Sequence, residues 1–128
     1  MKGYQLSGAG RDMLAKEVES VPEEPVEGAE GVWVRWLISR RDGAPNFAMR
    51  LFRFEPGASM APHSHPWEHE IYVLSGRVVV TVGGEEVEAG PGTALLVPPN
   101  VEHSYRNPGE EDALFVCVIP LSGVPPGK

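Results

Sequence analysis

Glycine and proline punctuate this chain so often that little room is left for helix. Pro56-Gly57, Gly76, Gly83-Gly84, Gly92, Pro98-Pro99 and Pro108-Gly109 recur at short intervals, and the totals are fifteen Gly and thirteen Pro in 128 residues. Glycine supplies the positive φ that tight turns demand, and proline lacks the N–H that a central strand position needs. Between the breakers lie short runs rich in β-branched and aromatic residues, at 32–40, 47–54, 60–65, 70–74, 77–82, 93–97, 103–106 and 113–119. Gly83-Gly84 between two such runs is a two-residue hairpin signal, and Pro66 forces a bend between 60–65 and 70–74. The pattern predicts about nine or ten short strands in one domain, hence an all-β sandwich or barrel. Residues 31–120 form that barrel in this reading. Residues 1–30 are an extended N-terminal segment, within which 12–21 suits a short helix or an edge strand. Residues 121–128 are expected to be a loose tail.

Composition narrows the partners. A net charge of −7 speaks against nucleic acid. The one cysteine, Cys117, has no partner for an internal disulfide. Residues 1–20 carry no apolar leader, and no stretch approaches the roughly 20 apolar residues of a membrane span. The expectation is a cytoplasmic protein whose partner is a small molecule, with no nucleic acid and no membrane.

All four histidines fall in two short segments: His63, His65 and His69 in the first, His103 in the second. Neutral imidazole is a ligand for Mn, Fe, Ni, Cu and Zn. His63 and His65 are two apart, which in a strand puts both on one face. His69 follows the Pro66 bend, and His103 follows the Pro98-Pro99-Asn100 turn. Imidazoles from several strands can thus meet at one ion.

The spacing carries a resemblance. Gly57 is followed after five residues by His63-Ser64-His65, and then by Gly76. Gly92 is followed after five residues by Pro98-Pro99-Asn100, after two more by His103, and after three more by Asn107. These segments resemble the two motifs of the cupin superfamily, over roughly residues 47–120. Asn100 stands where the motif has Gly. Six residues separate His69 from Gly76, the place where most cupins have a ligand Glu. Glu70 keeps the spacing from His65 but misses that to Gly76 by one, so it is the alternative to His69.

The resemblance implies a double-stranded β-helix (jelly roll) with one divalent metal at His63, His65, His69 and His103. The chain is similar to small bacterial cupins with a four-histidine site, which implies manganese, with Fe, Ni, Cu or Zn as alternatives. Four neutral donors leave the ion its full charge. In six-coordinate geometry two positions stay open, whereas four-coordinate Zn would have none. Phe115, Cys117 and Ile119 share one face with Ala113; the likeness turns that face toward a substrate pocket, with ordinary core as the other reading. Tyr105 shares the face of His103 and is placed to hydrogen-bond an oxygen ligand. Trp67 is expected to anchor a loop, and Glu68 and Glu70 to be solvated or to accept from an imidazole. Arg50 and Arg53 fall on opposite faces of their strand. An inward arginine would bind a carboxylate substrate, but outward salt bridges are the expectation for both.

The implied activity is a metal-dependent oxidoreductase of dioxygenase or peroxide-using type, acting on a small organic molecule. An isomerase, epimerase or decarboxylase is the alternative. It would want an inward carboxylate or lysine, and no lysine lies between Lys16 and Lys128. A non-catalytic module that binds a small ligand is the third. Similar proteins form homodimers through the N-terminal segment, which would give Trp33 and Trp36 a burial site.

Overall fold

The apolar runs become strands, and their period-two alternation decides which face turns inward. The structure, a computed structural model, describes residues 13–128 and the backbone of Tyr4–Gln5. In chain order the strands are β1 (Tyr4–Gln5), β2 (Leu14–Ala15), β3 (Glu24–Pro25), β4 (Val32–Ile38), β5 (Phe47–Phe54), β6 (Ser59–His63), β7 (His69–Ser75), β8 (Val78–Val82), β9 (Glu85–Ala89), β10 (Ala94–Val97), β11 (His103–Arg106) and β12 (Ala113–Pro120). Six of them form one antiparallel sheet in the order β10-β7-β12-β5-β4-β3, and four form a second, β6-β11-β8-β9. This is the all-β jelly roll that the sequence implies.

The core lies between the two sheets. In β12, buried and half-buried residues alternate without a break; Ala113, Phe115, Cys117 and Ile119 all face inward. Val32, Val34 and Trp36 of β4 and Ala48, Phe52 and Phe54 of β5 meet them. Phe52 stacks on Phe115 with ring centroids 5.4 Å apart, and Phe54 lies 5.5 Å from Phe115. Each such side chain contributes about 1.5–3 kcal/mol by leaving water.

Turns close as the glycines predict. Val82 pairs with Glu85 across Gly83-Gly84, both at positive φ, the geometry of a two-residue hairpin. Gly76, at φ +72°, is more constrained: a Cβ there would lie 2.3 Å from the Asp112 carbonyl oxygen. Asn107 is the hub of the second motif. Its side-chain amide donates to the carbonyls of Phe54 and Glu111, and its Oδ1 accepts from Gly109 N–H.

Outside the barrel strands the chain is short-range structure. Residues 12–21 hold both β2 and a 3-10 turn at Val18–Ser20; residues 1–12, apart from the backbone of β1, lie outside the described residues. Residues 121–128, expected as a loose tail, carry a 3-10 turn at Leu121–Gly123 and a buried Val124, and the Lys128 ammonium pairs with Glu24. Trp36 packs inside the barrel, and Trp33 donates its indole N–H to Glu55 at 2.7 Å, so both find partners within this chain. Among the described residues no helix is long and apolar enough to cross a membrane.

Candidate metal centre

Four imidazoles converge from three strands and a bend. His63 ends β6 and His103 begins β11, and the two are cross-strand partners with ring centroids 4.3 Å apart. His69 opens β7 in the opposite sheet and points inward at 6 % exposure. Glu70, next along the strand, faces out and is exposed, as period two requires. Glu68 is exposed as well.

His65 arrives differently from the sequence expectation. Strand β6 stops at His63, so His65 is not carried to the same face by continued pleating. The bend holds it instead. Its carbonyl accepts the Asn100 N–H at 2.8 Å, and its ring stacks on Trp67 at 4.1 Å and 5°. Trp67 lies on Gly123, where a Cβ would come within 2.5 Å of the indole. Asn100 sits at φ +65°, a left-handed conformation that Asn tolerates better than most residues. That explains how Asn can stand where the motif has glycine.

Hydrogen bonds set the tautomers. The Nδ1 atoms of His63, His65 and His103 each lie 2.9 Å from a backbone carbonyl, those of Ala61, Trp67 and Val101. A carbonyl only accepts, so each Nδ1 carries the proton and each Nε2 keeps a free lone pair. His69 Nδ1 lies 3.1 Å from Cys117 Sγ, and Arg50 Nη2 lies 3.0 Å from the same sulfur. The guanidinium, 3.3 Å from Nδ1, can only donate, so Arg50 donates to Sγ; when His69 Nε2 holds an ion, its proton lies on Nδ1 and the sulfur accepts that one too.

The Nε2 atoms converge. Without an ion, His69 Nε2–H donates to His65 Nε2 at 2.8 Å, and His103 Nε2 is buried without a partner. The four donor atoms lie within 4.8 Å of one another. Donors about 2.0–2.1 Å from one ion and at right angles sit roughly 3 Å apart. The four residues therefore fit a single metal ion, which would take the place of the proton between His65 and His69 and give His103 Nε2 a partner. Burial pushes the His69 imidazole pKa down to about 2, with the Arg50 charge adding to it. Burial also lowers those of His65 and His103. These rings are thus neutral donors at neutral pH.

A cavity of about 550 Å³ opens beside His63 and His69. Trp36, Phe52, Met60 and Phe115 give it apolar walls, and Tyr105, Cys117 and Arg50 bring polar groups. Of the four predicted pocket residues, Tyr105, Phe115 and Cys117 line it. Ile119 lies further along β12 opposite Ala48, buried in the core and off the cavity wall.

Arg50 departs from the outward salt bridge expected of it. It points into the cavity, while Arg53 on the other face pairs outward with Glu23 and Asp112. The sequence held one signal for this: Arg50 shares its parity with Phe52 and Phe54, which face inward.

Comparison with known proteins agrees with this architecture. The cupin-domain family model matches residues 50–119. CurC of Streptomyces cyaneus, a polyketide synthase protein, is 35 % identical over 117 residues, covering 89 % of this chain and 76 % of its own. The oxalate-binding protein of Thermotoga maritima is 32 % identical over 119 residues, 88 % of this chain and 97 % of its own. The crystal structure of the polyketide cyclase RemF from Streptomyces resistomycificus superposes with a TM-score of 0.82 at 34 % identity, covering 88 % of this chain and 82 % of that one. Family match, two-sheet barrel and histidine cluster agree: the chain belongs to the cupin superfamily.

Proposed function

We propose that this cupin is a metal-dependent enzyme acting on a small, multiply oxygenated organic molecule, and that the reaction is a ring closure of polyketide type. The observation that carries the reading is the convergence of four Nε2 donors beside an aromatic-walled cavity. The similarity to CurC and RemF supports a substrate of that type. In this reading His63, His65, His69 and His103 hold the ion, with manganese expected. Bound there, the ion supplies Lewis acidity toward carbonyl oxygen. Trp36, Phe52 and Phe115 offer flat apolar surfaces for a ring. The Tyr105 hydroxyl, kept protonated because burial raises its pKa, donates a hydrogen bond to a substrate oxygen. Cytoplasmic residence and homodimer formation complete the proposal. Exposed Tyr72, Leu74 and Leu96 on neighbouring strands β7 and β10 support the latter.

An oxidoreductase of dioxygenase or peroxide-using type is the second reading. It is favoured by the same set of four neutral donors, which leaves room on a six-coordinate ion. One experiment separates the two. Protein loaded with manganese is given a linear poly-β-ketone with and without O₂. Ring closure without O₂ supports the first reading, and turnover that needs O₂ supports the second. Binding with no turnover in either arm leaves the non-catalytic module, which the oxalate-binding relative supports.

A further inference from the structure

Arg50 is a cation facing the cavity that no carboxylate of the described residues pairs. Its Nη2 is spent on Cys117 Sγ and lies against His69. Its Nε N–H is buried with no acceptor in reach. The guanidinium carbon lies over two rings, 4.7 Å from the Phe52 centroid and 5.4 Å from that of Trp36. These contacts fix its orientation without neutralising it. Glu24 and Glu27 reach the same cavity, but Glu24 is paired with Lys128 and Glu27 is exposed.

A guanidinium in an apolar cavity without a counter-charge is costly unless something completes it. Four neutral imidazoles supply no negative charge, so a bound divalent ion would add to the positive potential. An oriented arginine beside that potential is a binding element for an acidic oxygen.

We propose that Arg50 is the specificity residue of this cavity, and that the molecule it selects is a small anion carrying a carboxylate or enolate oxygen on a ring-sized apolar body. This rests on the reading of the cavity as the substrate site. The anion's oxygen meets the guanidinium and its body lies along Trp36, Phe52 and Phe115. A neutral analogue of the same shape leaves the charge unanswered and binds more weakly.

The test is made first on metal-free protein, so that it stands apart from the metal assignment. Calorimetry measures benzoate, its neutral isostere benzamide, and acetylacetonate as an enolate probe. The wild-type protein should bind at least one anion about tenfold or more tighter than benzamide. Preference for benzoate identifies a carboxylate, and preference for acetylacetonate an enolate. Arg50→Gln should abolish the preference, and Arg50→Lys should restore part of it. Circular dichroism and the urea midpoint confirm that both variants fold. Equal affinity for benzamide, no binding of either anion, or an undiminished preference in Arg50→Gln overturns the proposal. Metal content is measured separately. A wild-type protein that selects anions yet binds no metal refutes the metal reading and leaves Arg50 standing; the converse result refutes only Arg50.

Discussion

Replacing Cys117 by valine tests how the third imidazole is held. With an ion on His69 Nε2, the Sγ atom is the acceptor for two N–H groups, from His69 Nδ1 at 3.1 Å and Arg50 Nη2 at 3.0 Å, in a place 2 % exposed to solvent. Valine nearly conserves the volume and removes the acceptor. A buried N–H left without a partner costs about 1–3 kcal/mol. The imidazole can escape that cost by moving its proton to Nε2, which consumes the lone pair an ion needs. Loss of such a supporting partner weakens metal binding about 10–100-fold, or roughly 1.4–2.7 kcal/mol. Cys117→Val should therefore release the ion to a competing chelator at that much lower chelator strength. Cys117→Ser, whose hydroxyl can accept both bonds, should stay within about threefold of wild type. Urea unfolding of the metal-free variants controls for the fold. If Cys117→Val holds metal within about twofold of wild type, the sulfur does not set the tautomer of His69.

Three further outcomes follow from the geometry. His69→Ala should lose metal on dialysis while Glu70→Ala keeps it, because Glu70 points to solvent; equal losses would contradict the assignment. Gly76→Ala should lower stability by roughly 2–5 kcal/mol in urea, about 1–2 from the left-handed backbone and 1–3 from overlap with the Asp112 carbonyl; a loss below about 1 kcal/mol would contradict it. Acid should destabilise the metal-free protein. The unfolded His69 titrates near pH 6.5 while the folded ring resists protonation, so its contribution is full above about pH 6.5 and falls as pH drops, by up to about 1.4 kcal/mol per pH unit. His69→Gln should flatten that slope between pH 6.5 and 5, and an unchanged slope would assign the acid sensitivity elsewhere.

The barrel was legible because its turns are written in residues that do little else. Gly83-Gly84 and Gly76 mark positions where the backbone has φ of +56°, +88° and +72°. The histidine cluster was legible for the same reason, since its spacing is tied to those turns. What escaped was set by packing at a distance. His65 lies beyond the end of β6, and its place depends on Trp67, Gly123 and Asn100. The direction of Arg50 was obscured because β5 carries apolar residues on both faces. Leu51 is buried on the face opposite Phe52 and Phe54, so alternation alone could not say which face was inside. The N-terminal stretch gave no period because its strands are two residues long. The turn and tail after Pro120 depend on contacts with Trp67, Arg41 and Glu24, none of which leaves a local pattern.

X-ray absorption at the manganese edge tests the central claim most directly. The protein is stripped, reloaded to one equivalent and measured at neutral pH. The account predicts one tightly held ion with four imidazole nitrogens, falling to three in His69→Ala and staying at four in Glu70→Ala. An ion with fewer imidazoles in the wild type, a carboxylate among its protein ligands, or no stoichiometric ion at all would contradict it.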